Sequence, residues 1–209
     1  MAVGTREGRL NKKKAIVTGA AMGLGAAISC QFAQEGADVL CVDVKSDPME
    51  RVVESIHQQG GRAYSVNGDV GDAREVERIT AEALSLLGGI DILVNNAGVI
   101  PARDTVVQTT EEDWDETLRV NSKGVFLMSR SVIPQMVSQG GGSIINMSSV
   151  TGLVGLPIRS AYSASKGAVS ILTRQMAVDF GKHNIRINAI NPSFVITDLN
   201  RRMFDEMKA

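Results

Sequence analysis

Three features of this 209-residue sequence predict an α/β fold in which a parallel sheet is covered by helices on both faces. Short apolar runs alternate with longer segments of helical spacing. The runs AIV and ILV are apolar without a break, as strands buried on both faces require. A glycine-rich turn stands at the first strand-to-helix junction. Hydrophobic residues make up 44 % of the chain, enough for a buried core. No linker, internal repeat or low-complexity segment divides residues 1–209, so a single domain is expected.

In chain order, AIVTG (Ala15 to Gly19) predicts the first strand and residues 23–34 the first helix, with Gly36 as its stop. DVLCVDV predicts the second strand. Met49, Val52, Val53 and Ile56 recur at helical spacing within a helix from Pro48 to Gln59, which Gly60-Gly61 ends. AYSVNGDV predicts a third strand that closes on Asp69-Val70, and Ala73 to Leu87 a helix stopped by Gly88-Gly89. DILVNNAG predicts the fourth strand. A single long helix is expected over 111–137, capped by Thr110 with Asp113 three residues on. GSIINMSS, a helix from Ala161 to Phe180 striped by Val169, Leu172 and Met176, and IRINAINPS complete six strands.

Charge and composition narrow the function. The chain carries 22 basic and 23 acidic residues, a formal charge of −1, which leaves no footprint for nucleic acid. Cys30 and Cys41 lack metal-ligand spacing and do not form a disulfide framework, so no metal and a reduced, cytoplasmic compartment are expected. His57 and His183 likewise lack partners at metal spacing. The N-terminal MAVGTREGRLNKKK has no apolar core of a signal peptide, and Lys12 to Lys14 read as a solvated lead-in to the first strand. No apolar run approaches the roughly 18 residues of a membrane span, so no membrane partner is expected.

TGAAMGLG (Thr18 to Gly25) places Gly19, Gly23 and Gly25 where backbone can approach a ligand closely. The helix that follows favours an anionic pyrophosphate through its free N–H groups and dipole. The spacing is GxxxGxG rather than GxGxxG, and a tight strand-to-helix turn alone would also want glycines. Asp43 ends the second strand 24 residues past Gly19, where a carboxylate accepts from ribose hydroxyls and repels a 2′-phosphate. NAD is therefore expected over NADP, although Lys45 offers a nearby base. Asp69 and Val70 are placed to flank an adenine. In YSASK, Tyr162 and Lys166 are one helical turn apart with only small residues between them, so a helix would put both on one face.

Taken in order, TGAAMGLG, Asp69, NNAG (Asn95 to Gly98), Asn121, Ser149, YSASK and NPSFVIT (Asn191 to Thr197) resemble the short-chain dehydrogenase/reductase family from about Leu10 to Thr197. The resemblance implies a Rossmann-type doubly wound sheet and a catalytic set of Asn121, Ser149, Tyr162 and Lys166. Ser149, 13 residues before Tyr162, matches the catalytic serine rather than Ser148. Along the cofactor it implies Gly19, Met22, Gly23, Leu24, Gly25, Asp43, Asp69, Val70, Asn96, Ala97, Gly98, Tyr162, Lys166, Pro192, Val195 and Thr197, with Asn95 steadying the sheet. It also implies a dimer or tetramer built on the helices at 111–137 and 161–180. The sequence departs from the pattern at Pro192-Ser193, where the family has Pro-Gly. Relatives continue some tens of residues past Thr197 into a helix pair over the substrate and a seventh strand. Six strands and an incomplete substrate-covering region are therefore expected within residues 1–209.

The chemistry these residues suit is hydride transfer between NAD(H) and a secondary alcohol or ketone. A free tyrosine, with a pKa of about 10, is too weak a base near neutrality. Lys166 is expected to lower that value as a nearby ammonium, and to hold the nicotinamide ribose. Ser149 is expected to donate to the substrate oxygen. Asn121, at mid-helix, is a poor helix former, and the resemblance implies that it opens its helix locally and holds a water linking Lys166 to solvent. Val99, Ile100, Pro101, Leu153, Val154, Leu156 and Ile158 suggest a largely apolar substrate pocket, with Arg103 and Arg159 nearby. Two other readings stand beside this one: a catalytically inactive NAD(H)-binding module, and an NADPH-dependent ketone reductase of the 3-oxoacyl type. Asp43, and the absence of a basic residue at Met22, oppose the latter.

Overall fold

The computed structural model of the chain describes residues 8–100, 105–195 and 197. Among these, strands β1 (Lys14–Thr18), β2 (Asp38–Asp43), β3 (Arg62–Asn67), β4 (Ile92–Asn95), β5 (Gly142–Met147) and β6 (Ile185–Ile190) form one parallel sheet, ordered β3-β2-β1-β4-β5-β6. The chain runs outward from β1 to β3, then returns to β4 beside β1 and runs outward the other way. The connections leaving the carboxyl ends of β1 and β4 therefore part in opposite directions and leave a crevice at the switch, where ligands bind in such sheets. Val17 lies opposite Val94 at this switch.

Side chains alternate across the sheet and are buried on both faces. Ile16 and Leu40 pack with Val76 and Ile79 of α3 (Ala73–Leu87) and Leu127 and Met128 of α5 (Gly124–Ser138). Val17, Val39 and Cys41 pack with Ala33 of α1 (Gly23–Gln34) and Met49, Val53 and Ile56 of α2 (Ser46–Gln58). Caps set the helix starts. Asp72 accepts from the N–H of Arg74 (2.8 Å) and Glu75 (3.2 Å) ahead of α3. Thr110 accepts from Asp113 N–H at 3.1 Å ahead of α4 (Glu111–Leu118).

Two expectations need correction. The helix expected over 111–137 is not continuous: α4 gives way to a π-helical turn, Arg119–Lys123, before α5 begins. Asn121 sits in that turn, and its side chain bonds to the neighbouring loop rather than to its own helix. Asp69 and Val70 do not end the third strand. β3 stops at Asn67, and Asp69 turns the chain toward α3 by accepting from Gly71 N–H at 2.7 Å. The other strands end at or before the polar and glycine residues that close their runs, which form the loops of the site. α6 spans Ser160–Phe180 and packs on β6 and β5. Pro101, Arg103 and residues 198–209 lie outside the described residues.

Candidate active site

The glycine turn is fixed by its contact with β4. Gly19 adopts a φ of +66°, and a methyl group there would lie 2.8 Å from Ala97 Cα. A methyl on Gly25 would overlap the Gly19 carbonyl oxygen and lie 2.6 Å from Asn96 Nδ2. Asn96 Nδ2 donates to the carbonyls of Thr18 (2.9 Å) and Gly19 (3.1 Å). Thr18 Oγ1 accepts from Asn96 N–H (3.0 Å) and Ala97 N–H (3.1 Å). These bonds clasp the ends of β1 and β4. α1 starts beyond them with no side-chain cap and no acidic residue in its first turn. Its first N–H groups remain available to an anion.

Asp43 closes β2 with its carboxylate held by backbone: Oδ2 accepts from Ala21 N–H and Oδ1 from Lys45 N–H, both at 3.0 Å. Asp69 is held on both oxygens as well, Oδ1 by Gly71 N–H and Oδ2 by Arg119 Nη1, each at 2.7 Å. The guanidinium of Arg119 also grips Glu116 through Nε (2.6 Å) and Nη2 (2.9 Å). This fork holds the Glu116 carboxyl below the usual range and pushes the Arg119 pKa up.

At the other end, β5 delivers Ser149, and the first two turns of α6 deliver Tyr162 and Lys166 on one face. Ser149 is buried, accepts from Thr151 N–H at 3.2 Å and stands near the Tyr162 phenol. Lys166 is buried too. Its Nζ donates to Met147 O at 2.7 Å and lies 5.7 Å from the centre of the Tyr162 ring. Burial pulls the Lys166 amine down to about 8. Burial likewise holds the Tyr162 phenol above its ordinary 10, against smaller lowering effects from Ser149 and Arg159. The expected lowering of Tyr162 by Lys166 is thus not the state of the protein alone, because burial penalises both charged forms.

Asn121 is fully buried, and both of its amide hydrogens are engaged, by Val99 O (3.0 Å) and Ser165 Oγ (3.1 Å). Its Oδ1 accepts from Val99 N–H at 2.7 Å. The side chain therefore pins the loop after β4 by both backbone groups of one residue. A methyl on Gly98 would sit 3.1 Å from Asn121 Oδ1 and 3.6 Å from Lys166 Nζ, so glycine keeps the space between them open.

These parts line one cleft of about 360 Å³. Every predicted cofactor-binding and catalytic residue lines it except Gly25 and Asn121, which stand behind its wall. Val99 and Ile100 line it as well, while Leu153, Val154 and Phe194 are left exposed. Sequence reasoning missed Glu116 and Arg119. Their spacing of three suggests a helix-surface pair, and nothing local signals the reach to Asp69, 50 residues away. Ile158, in the loop before α6, adopts a φ of +53°, rare for a β-branched residue. Among the described residues no group of three or more metal-ligating side chains gathers, and no helix is long and apolar enough to cross a membrane.

The chain belongs to the short chain dehydrogenase family, whose model matches residues 13–208. It is 43 % identical over 180 residues to an uncharacterized oxidoreductase of Thermotoga maritima, covering 86 % of this chain and 70 % of that one. A 3-oxoacyl-[acyl-carrier-protein] reductase FabG of the same organism is 38 % identical over 196 residues, covering 93 % of this chain and 79 % of that protein. Among solved structures, that of levodione reductase superposes with a TM-score of 0.92 at 32 % identity, covering 95 % of this chain and 78 % of the other. The protein is accordingly an oxidoreductase of this family, which works with a nicotinamide cofactor.

Proposed function

We propose that the protein transfers a hydride between NAD(H) and a secondary alcohol or its ketone, with Tyr162 as the acid/base. The observation that carries this reading is the meeting of Ser149, Tyr162 and Lys166 in the same cleft as the glycine turn and the Asp43 carboxylate. The residues fit a dinucleotide: an uncapped helix start for the pyrophosphate, a backbone-held carboxylate for the ribose, and glycines at 19, 23 and 98 where backbone must come close. Met22, Leu24 and Gly25 would complete the pyrophosphate turn, and Asp69 and Val70 would flank the adenine. Asn96, Ala97, Pro192, Val195 and Thr197 would border the nicotinamide half. The nicotinamide, when bound, supplies the hydride donor or acceptor.

The chain's own residues handle the proton. Ser149 donates to the substrate oxygen where negative charge builds, and orients the phenol. Tyr162, protonated in the free protein, is ready to give its proton to a ketone oxygen. As base for an alcohol it must first lose that proton, which a charged Lys166 favours. Lys166, at about 8, exchanges a proton near neutrality and can refill the phenol. Asn121 keeps Val99 and the loop beside the reacting centre in place.

Asp43 supports NAD over NADP, since a 2′-phosphate would meet its carboxylate. The FabG relative favours a second reading, a reductase of 3-oxoacyl substrates working with NADPH. A panel of secondary alcohols, ketones and 3-oxoacyl thioesters, run with NAD(H) and NADP(H) in parallel, decides between them. Turnover of a simple alcohol or ketone with NAD(H) is expected, and turnover confined to 3-oxoacyl thioesters with NADPH would replace the first reading by the second. Val99, Ile100 and the exposed Leu153, Val154 and Phe194 favour a substrate with an apolar body. We propose a homo-oligomer, dimer or tetramer, through the outer faces of α5 and α6, which leave Phe126, Val137, Ile171 and Val178 exposed.

A further inference from the structure

Arg119 is a cation on the wall of the cleft that the reaction does not use. It lies at the first residue of the π-helical turn, two positions before Asn121. Three of its nitrogens are committed: Nε and Nη2 to Glu116, and Nη1 to Asp69 at 2.7 Å. The guanidinium lies against Gly71. A methyl there would overlap Nη1 and come within 2.9 Å of Cζ, so only glycine admits this contact. Next to it, a methyl on Gly124 would lie 2.8 Å from Val70 Cγ2. Two side-chain-free positions thus let the loop around Asp69 press directly onto the π-turn.

As a stabilising ion pair this arrangement contributes little. Arg119 and Asp69 are each about one-third exposed, and Glu116 is about half exposed; such pairs are worth roughly 0–1 kcal/mol. Its geometry does more. A carboxylate at the end of a loop turns freely about its side-chain bonds. Here Gly71 N–H fixes one oxygen and Arg119 the other, so the plane of the carboxylate is set before any ligand arrives. The remaining lone pairs of Asp69 are the ones left to face the cleft.

We propose that Arg119 is a positioning residue for the adenine end of the cofactor: it orients Asp69 to accept from the adenine amino group, while Glu116 orients Arg119. This rests on the dinucleotide reading above and adds to it the residue that presets the adenine contact. Preset donors and acceptors raise affinity by removing the cost of ordering them on binding.

The test uses three probes on the purified chain: NADH, ADP-ribose, which keeps the adenine end and lacks only the nicotinamide, and reduced nicotinamide mononucleotide, which lacks the adenosine end. Arg119→Gln is expected to weaken NADH and ADP-ribose by about tenfold, the scale of one charge-assisted hydrogen bond, and to leave the mononucleotide within about twofold. Arg119→Lys, which keeps the charge without the fork, is expected to lose about threefold on the same two probes. Asp69→Asn should match Arg119→Gln, and the double variant should be no weaker than either, since both act through one contact. An equal loss on all three probes in Arg119→Gln or Arg119→Lys would mean that Arg119 merely supports the π-turn, and overturns the proposal. No loss in either variant also overturns it. Should the unaltered protein take up neither NADH nor ADP-ribose, the dinucleotide reading itself fails and this inference goes with it.

Discussion

At the β2–β3 end of the cleft, Asp43 and Asp69 are part-buried carboxylates, each oxygen held by a backbone N–H or by Arg119. At the β5–α6 end, Ser149, Lys166 and Asn121 are buried, and the Tyr162 phenol stands near Ser149. The first end keeps its charges in contact with water and fixes their direction. At the second, burial raises the phenol and lowers the amine, parting two proton affinities that are ordinarily nearly equal and bringing the amine to about 8. A recognition site needs ionised groups of known orientation. A proton-transfer site needs groups whose charged and neutral forms are both within reach.

The largest expected effect breaks the buried end. Tyr162→Phe should lower turnover by about 10²- to 10⁴-fold while NADH still binds, read by steady-state rates and by titration of NADH fluorescence. Unchanged turnover would remove Tyr162 from the chemistry. At the charged end, Asp43→Ala should cost about 10- to 100-fold in kcat/KM with NAD and narrow the gap to NADP, the scale of losing charge-assisted hydrogen bonds. Equal efficiency with both cofactors before the substitution would show that Asp43 does not select.

Stability against pH sharpens the contrast. The folded pKa of Lys166 lies at about 8, below its ordinary 10.5, so the folded chain releases a proton that the unfolded chain keeps. Stability linked to this residue therefore rises with pH between about 8 and 10.5, by a total on the order of 3 kcal/mol. Tyr162 works the opposite way, its contribution being lost above its ordinary 10, so the comparison belongs below that pH. Urea unfolding of the wild type and Lys166→Met at pH 7 and pH 9.5 should show a gain with pH in the wild type that the variant lacks. The smallest effect concerns Ile158, whose left-handed backbone costs roughly 1–2 kcal/mol. Ile158→Gly should raise the melting temperature slightly, and a lower one would show that its side-chain packing outweighs the strain.

How far the sequence carried this depends on the range of the signal. Strand-helix alternation and the glycine stops foretold all six strands, and α1 and α3 run between the expected residues, because apolar period and terminators are local. The π-turn was not legible as such. Asn121 hinted that the helix opens, but the cause is a bond to Val99, 22 residues away. The spacing of Tyr162 and Lys166 placed them on one face, yet their proton affinities follow from the burial that β5 and the following loop impose. Arg119 was invisible for the same reason, since its meaning lies in a contact with Asp69 across two elements.

The central claim is that burial, more than a neighbouring charge, sets the proton affinity of Tyr162 in the free protein. The chain has two tyrosines, so phenolate absorbance against pH, taken as wild type minus Tyr162→Phe, reports this group alone. A transition above 10 without cofactor, moving lower when NAD is bound, is the predicted result. A transition already well below 10 in the free protein would contradict it.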